Sequence, residues 1–386
     1  MTHKPWCSDL TWCEVDCEAL TDNIRALRAH LSPDTLVAPA IKSNGYGHGL
    51  LFAARAFIQG GADWLCVHTL QEAITLRESG IEHPLYLFGP TLPSDLEKAA
   101  RLQLHLVLYQ EEHLARLVEL SKSAPDLMSR LKLHLKIETG NHRQGISLSE
   151  ALSFVNVIKS HPPLQLVGVT SHFANIEDTT DHRFAELQLH RLRQAVTQLE
   201  SEWGRSLLSH IANSAASLLW PARSLDLARV GIASYGLWPS PQVRAQVSSA
   251  MTPALRPALS WRAQVVQVKK VASGEPIGYG CTYVTTRPSV IAIIPVGYYE
   301  GYDRGLSDRA EVLIHGQRAP IRGRICMNIC MADVTDHPLV RAGDRVTLLG
   351  RDGLEEISAE ELADRSHTIN YEIVARIAGH LPRYVV

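Results

Sequence analysis

From residue 35 to about residue 235 the chain alternates short apolar runs with amphipathic stretches. Eight runs have the length and texture of buried strands: 35–41, 64–67, 85–88, 105–108, 132–137, 165–169, 207–211 and 227–230. Between them, 71–78, 95–102, 149–159 and 182–202 read as helices, 50–58 follows the first strand as another, and 18–31 precedes it. Eight strand-then-helix units over roughly 200 residues predict an α/β fold, a (β/α)8 TIM-like barrel with its helices outside. A doubly wound open sheet is the main rival. The absence of a dinucleotide-binding glycine fingerprint weighs against it, and no sequence repeat accompanies the repeat of pattern.

The texture changes over 237–257, where four prolines and several serines mark a linker. Beyond it lie β-rich segments at 258–271, 290–295, 310–314, 321–334 and 345–349, then two short helices at 359–366 and 370–377. The expected organisation is a barrel over 1–240 followed by a mostly β C-terminal domain over 241–386.

Composition narrows the function. The 386 residues are 45% hydrophobic and 20% charged, with a formal net charge of -2. That length suits two domains, and the balance leaves no electrostatic footprint for nucleic acid or an anionic membrane. Residues 1–10 hold Lys4, Pro5 and Asp9 and lack the apolar centre of a signal peptide. No apolar run approaches the ~18 residues of a membrane span. Seven cysteines, an odd number without a framework pattern, suit a reducing compartment, so a cytoplasmic location is expected. Cys13 with Cys17 and Cys326 with Cys330 share a spacing that zinc sites use. Both pairs lie in apolar, strand-like contexts without a nearby histidine pair, so no metal is expected.

The chemistry concentrates at strand ends, where barrels of this type place their functional groups. The first strand runs into Lys42, followed by Gly45, Gly47 and Gly49. A lysine beside a glycine-rich turn is costly to bury without a partner, and an amine of depressed pKa there suits Schiff-base chemistry. Because the lysine precedes the glycines, the run is not a phosphate-binding P-loop. Lys136 ends the fifth strand, Ser171-His172 the sixth, His210 to Ser214 the seventh, and Arg229 to Ile232 the eighth.

The run Ile41-Lys42-x-Asn44-x-Tyr46-Gly47-His48-Gly49 resembles the cofactor-lysine signature of bacterial alanine racemases, fold-type III enzymes that use pyridoxal 5'-phosphate (PLP). The similarity continues at similar spacing to the C-terminus. It implies the same order of barrel and β domain, and a homodimer with shared active sites acting on a small amino acid. By this resemblance Lys42 takes the cofactor's aldehyde, and Tyr46, Asn213, Ser214, Gly231, Ile232 and Tyr371 surround its phosphate. His172 packs on its ring, and Arg229 faces its ring nitrogen. The last partner matters: a carboxylate would protonate the ring and deepen the electron sink, whereas an arginine donates to an unprotonated nitrogen. That limits the spread of charge into the ring, disfavours stray protonation at the aldehyde carbon and suits racemisation.

Racemisation also requires an acid–base on each face of the α-carbon. Lys42 supplies one, and Tyr279 matches the family's second, contributed by the other subunit. Tyrosine in solution has a pKa of about 10, and the family corrects its poor poise by hydrogen bonding through His172 to Arg229. Tyr298 corresponds to a residue lining the substrate channel, and Met327 to one touching the pocket across the dimer. Arg143 corresponds to a residue near the cofactor's phenolic oxygen and the substrate carboxylate, and Lys136 to a lysine that many relatives carbamylate.

Three departures stand out. Asn141-His142 replace the family's common Met-Gly, Asn328 stands where aspartate is usual, and Ser43 and Gly45 replace small alanines. The expected function is interconversion of L- and D-alanine, supplying D-alanine for peptidoglycan. A racemase of broader specificity (lysine, arginine, serine) is the alternative. A PLP-binding protein without turnover is disfavoured by the β domain carrying Tyr279, and a decarboxylase by the lack of an acid at the place of Arg229.

Overall fold

The computed structural model describes residues 9–247 and 253–386; residues 1–8, and 248–252 of the linker, lie outside the described residues. Strand β1 (Thr11–Val15) comes first. Eight parallel strands follow: β2 (Leu36–Val37), β3 (Leu65–Val67), β4 (Leu85–Leu87), β5 (His105–Leu108), β6 (Lys132–Lys136), β7 (Gln165–Thr170), β8 (Leu208–His210) and β9 (Leu227–Ala228). Strands β3 to β8 form one six-stranded sheet in chain order, and β2 pairs with β9. Single hydrogen bonds join the two sets. Ile41 N donates to Cys66 O and Cys66 N to Pro39 O, both at 2.9 Å, while Asp226 N and Arg229 N donate to Ser209 O and Ala212 O at 3.1 Å. The eight strands therefore meet in a ring, as the (β/α)8 pattern requires.

The strand expected over 35–41 shrinks to Leu36–Val37 because Pro39 has no N–H for a continuous ladder. Helices at Cys17–His30, Leu50–Gln59, Leu70–Glu78, Leu96–Arg101, Leu148–Lys159 and Arg183–Trp203 match the amphipathic stretches within a few residues. Thr69 and Ser147 each begin a helix with a reciprocal capping box, worth roughly 1 kcal/mol apiece. The helix Glu111–Ser123 is absent from the sequence reading, although His113, Leu114, Leu117 and Leu120 form its buried stripe at helical spacing. Part of the linker is itself a helix, Pro241–Gln246, started by Ser240 accepting from Val243 N at 3.1 Å and by proline in the first turn.

The other unit is mostly β. It holds β10 (Leu259–Gln264), β11 (Gln267–Val271), β12 (Pro276–Ile277), β13 (Tyr283–Val284), β14 (Ser289–Ile294), β15 (Glu311–Ile314), β16 (Gln317–Pro320), β17 (Cys330–Asp333), β18 (Arg345–Asp352), β19 (Glu355–Ile357) and β20 (Arg383–Val385). One sheet runs β16-β15-β18-β10-β1-β20, and a second β11-β14-β17. The single strand expected over 258–271 divides at Val265-Val266. There Val265 N donates to Asp344 O and Val266 N to Ile293 O, sending the halves to different sheets. Of 321–334, only Cys330–Asp333 is a strand.

Strand β1 pairs antiparallel with β10 and parallel with β20. Its Glu14 carboxylate accepts from Arg262 Nε at 2.9 Å, both side chains being buried. By their contacts, residues 9–17 and 43–52 group with 258–386, and residues 18–42 group with 53–247 and 253–257. This grouping differs from a division at 240/241 because β1 is satisfied only by C-terminal strands.

Candidate active site

Lys42 is the last residue of its stretch of the barrel unit, and the chain leaves it in an uncommon conformation. Ser43, Asn44, Gly45 and Tyr46 all have left-handed backbone angles, with φ of 56, 54, 59 and 49°. Each non-glycine residue in that region costs roughly 1–2 kcal/mol, least for asparagine. Local bonds hold the turn: Gly47 N donates to Ser43 O at 3.1 Å, Gly49 N to Asn44 O at 2.8 Å, and Leu50 N to Asn44 Oδ1 at 3.0 Å. The glycines have a purpose here. A Cβ on Gly47, whose φ is +83°, would lie 2.0 Å from Val374 O. Gly47→Ala is expected to destabilise the protein by roughly 1–3 kcal/mol. Denaturant unfolding checks this, and an unchanged midpoint would contradict it.

The Lys42 amine lies 5.6 Å from the centre of the Phe88 ring and, among the described residues, makes no hydrogen bond or ion pair. Burial, then the charge of Arg143, lowers its pKa from the ordinary lysine value, with Glu72 opposing. An amine poised toward its neutral form is what a nucleophile or a base requires.

Around the barrel rim, Lys136 ends β6. It is buried and donates to Gln144 Oε1 at 3.2 Å, and Gln144 Nε2 donates to Tyr109 Oη at 2.9 Å. Burial, Arg229 and Arg143 push its pKa down to about 7. An unfolded lysine keeps its proton to about pH 10.4. Between pH 7 and about 10 the unfolded chain therefore binds more protons than the native one, and stability rises with pH. Below 7 both states are protonated and the native state bears the full cost. In carbonate-free buffer, unfolding free energy should climb from pH 7 to 9 and Lys136→Met should flatten that rise; parallel curves would contradict the assignment.

Lys136, Arg143, Gln144, Ser171 and His172 line a narrow cleft, together with Ile137, Glu138 and Asn141. The loop carrying Arg143 is pinned by Glu138, whose carboxylate accepts from Asn141 N at 2.7 Å. His142 has φ of 52°, so it occupies the left-handed position that a glycine would fill without strain.

Arg229 follows β9 and spends most of its donors on protein. Its Nη1 donates to Thr170 Oγ1 at 3.2 Å and to His210 Nδ1. Its Nη2 donates to Ser171 O at 2.7 Å and lies 3.4 Å from His172 Nδ1. The Nε–H has no protein acceptor among the described residues. Burial, then Arg229, Arg143, Lys136 and Lys42, holds the His172 pKa well below its usual value, so that ring is neutral.

Two loops on the same unit meet at Ser214. Asn213 Oδ1 accepts from Ala216 N at 2.9 Å, opening the helix Ser214–Leu219, and Ser214 Oγ accepts from Gly231 N at 2.7 Å. The backbone N–H groups of Ser214, Ala215 and Ile232 have no protein acceptor among the described residues. They and the Ser214 hydroxyl could receive a phosphate. A partnerless amine, a donor reserved at Arg229 and a cluster of open N–H groups fit a phosphorylated pyridine aldehyde at its reactive, ring and phosphate ends.

In the C-terminal unit, Tyr46 and Tyr371 have ring centres 6.3 Å apart. Tyr279, Tyr298 and Met327 are exposed. Tyr298 N donates to Cys326 O at 3.1 Å and Tyr299 N to Met327 O at 2.9 Å, clamping those two segments together. Asn328 Nδ2 donates to the buried Glu300 carboxylate at 2.7 Å, and that carboxylate also accepts from Gly297 N at 2.8 Å. An aspartate at 328 would face a second carboxylate, so the amide has a local structural reason.

The sequence reading missed Gln144 as the partner of Lys136, and Phe88 beneath Lys42. It also left out His134, which two-residue alternation along β6 places on the face of Lys136. Among the described residues no three His, Cys, Asp or Glu side chains group to hold a metal, and no helix is long and apolar enough to cross a membrane.

Comparison with known proteins agrees with this geometry. Residues 15–239 match the family model for the alanine racemase N-terminal domain, and 258–385 that for the C-terminal domain. The alanine racemase of Syntrophobacter fumaroxidans is 40% identical over 367 residues, 95% of each chain. That of Symbiobacterium thermophilum is 40% identical over 374 residues, 97% of this chain and 96% of the relative. Among solved structures, the alanine racemase of D-cycloserine-producing Streptomyces lavendulae superposes with a TM-score of 0.90 at 34% identity, covering 97% of each chain. That of Bacillus anthracis with bound L-Ala-P gives 0.90 at 34% identity, covering 98% of this chain and 95% of that one. With both domains matched over nearly its whole length, the chain belongs to the alanine racemase family.

Proposed function

We propose that the protein is a PLP-dependent alanine racemase that exchanges the α-proton of alanine with two acid–bases, Lys42 and Tyr279. The observation that carries this reading is that the barrel unit holds both a Lys42 amine without a hydrogen-bond partner among the described residues and Arg229, an arginine where an electron-sink enzyme would place an acid. When bound, PLP draws electrons away from the bond to the α-hydrogen of an amino acid attached to it. The remaining work belongs to the chain. Lys42 Nζ holds and moves the proton on one face. The Ser214 hydroxyl and the open N–H groups of Ser214, Ala215 and Ile232 would anchor the phosphate, with Gly231 N holding the Ser214 side chain in place. Arg229 Nε donates to the ring nitrogen, and His172 packs on the ring and links Arg229 to the tyrosine. Arg143 orients the substrate carboxylate.

Tyr279 serves the second face from the other copy of a homodimer. What supports this is its exposure: Tyr279 is 73% exposed, and Tyr298, Tyr299, Met327 and Ile329 of the same unit are exposed as well. Exposed large side chains of this kind are what a second subunit covers. In this reading residues 1–240 hold the cofactor and 241–386 complete the partner's site, with Tyr298 and Met327 shaping the entrance. The six described cysteines are free thiols, which suits a cytoplasmic enzyme supplying D-alanine to peptidoglycan precursors.

Lys136, with its lowered pKa, is a target for carbon dioxide. Addition to the neutral amine with loss of one proton gives a carbamate, an anionic partner for Arg143. Electron density at Lys136 should show the adduct, and a bare amine would sink the idea. The function itself is tested by chiral chromatography after the PLP-loaded protein has acted on a mixture of L-amino acids. D-alanine far ahead of every other product is expected. D-lysine, D-arginine or D-serine in comparable amounts would overturn the alanine assignment, and no D-product at all would overturn the racemase reading.

A further inference from the structure

Three histidines form a hydrogen-bonded column inside the barrel. His105, at the first residue of β5, places Nδ1 3.0 Å from His134 Nε2, and His134 Nδ1 lies 3.0 Å from His210 Nε2. His210 Nδ1 receives Arg229 Nη1. His134 and His210 are fully buried. Trp64 closes the far end, its ring centre 3.9 Å from that of His105, and Tyr86 packs against both His134 and His210 at 5.0 and 5.2 Å. The column crosses from the start of β5 to the rim at Arg229.

The chain makes room for it at one residue. His134 and His210 lie on β6 and β8, with β7 between them. They meet because β7 carries Gly168 at the crossing. A Cβ there would sit 2.3 Å from His134 Nδ1, the atom that faces His210, and 2.8 Å from Leu208 O.

The direction of every bond follows from Arg229. A guanidinium can only donate, so His210 Nδ1 accepts and its proton is on Nε2. That proton points at His134 Nδ1, which must accept, placing the His134 proton on Nε2, directed at His105 Nδ1. A proton added to any ring would set two N–H groups against each other somewhere along the line. The neighbouring charges agree: Arg229 and Lys136 face His210, Arg229 faces His134, and Lys132 and Arg77 face His105.

We propose that His105, His134 and His210 are a one-way column of neutral Nε2–H tautomers that positions the Arg229 guanidinium from beneath. His134 and His105 are thus positioning residues for the reaction. The fixed acceptor at His210 Nδ1 keeps Nη1 turned inward, which leaves Nε–H for the site. The tautomer assignment stands on the structure alone, and the catalytic consequence rests on the reading of Arg229 as the partner of the cofactor's ring nitrogen.

Long-range ¹H–¹⁵N spectra of the full-length, histidine-labelled protein, with and without PLP, test the column directly. All three rings should be neutral Nε2–H tautomers from pH 5.5 to 8.5; an Nδ1–H or charged His134 or His210 would overturn it, whatever the activity. Two variants test the consequence. His134→Phe cuts the column, and Gly168→Ala keeps every histidine but fills the crossing. Both are expected to shift the absorption band of bound PLP and to lower kcat about tenfold or more, with KM within about twofold. A folded variant that loses only thermal stability, with cofactor band and kcat unchanged, would reduce the column to packing and overturn the positioning role. If neither variant folds, the spectra of the native protein still decide. Wild-type protein that shows the tautomers yet forms no D-alanine would refute the racemase reading and leave the column standing.

Discussion

Lys42→Ala is expected to abolish racemisation, lowering kcat at least about 10³-fold, while the barrel still folds. The magnitude follows from the double use of one amine. In the proposed reading it is the covalent attachment point and also the acid–base on one face, a role worth roughly 10²–10⁴-fold by itself. The structure explains why no neighbour replaces it. Lys136, the other rim amine, is committed to Gln144 and lies on β6, whereas Lys42 stands alone above Phe88 at the mouth of the left-handed turn. Removing the side chain relieves a buried amine of its desolvation cost, so a thermal melt should show no loss of stability. Borohydride treatment followed by peptide mapping completes the test. The wild-type protein should carry the cofactor on the Lys42 peptide, and attachment elsewhere would remove Lys42 from its role.

Tyr279→Phe should produce a different defect. With one base gone and the other intact, exchange of the α-proton should persist from one antipode of alanine and fall roughly 10²–10⁴-fold from the other. Racemisation needs both faces, so it should fall with the slower exchange. The backbone favours no flexible alternative: Tyr279 begins a short 3-10 turn between Gly278 and Gly280, both at φ of 71°. That turn fixes where the side chain leaves the chain. Deuterium incorporation from D2O, measured separately for L- and D-alanine, separates the two faces. Equal exchange from both antipodes in the phenylalanine variant would mean that Tyr279 is not the second base.

Much of the barrel was legible because its signal is local. Runs such as Leu133 to Ile137 are apolar enough to mark a strand, and the polar residues that end several of these runs mark the rim. The turn after Lys42 was legible as a turn from its three glycines. Its left-handed course was not, since of Ser43, Asn44 and Tyr46 only Asn44 is of a type that readily takes positive φ. Pairing between distant segments leaves no local trace. Nothing in Thr11–Val15 announces that it belongs beside residues 259–264, and the break at Val265-Val266 shows in the sequence only as two adjacent apolar residues in an otherwise alternating run. At the site, resemblance supplied the positions and geometry supplied the relations: the Gln144 partner of Lys136, the Glu300 partner of Asn328 and the histidine column under Arg229. The Asn328 departure illustrates the difference. In sequence it reads as a lost charge at the entrance; in the structure its amide satisfies a buried carboxylate.

The central claim is that Lys42 and Tyr279 serve opposite faces of one α-carbon. Incubating the PLP-loaded protein with L-alanine in D2O tests it most directly, following optical activity and the α-proton signal together. The expected result is decay of optical activity to zero, with D-alanine carrying deuterium at the α-carbon from its first appearance. Retained optical activity from a protein that has bound its cofactor, or D-alanine formed with the original hydrogen in place, would contradict the account.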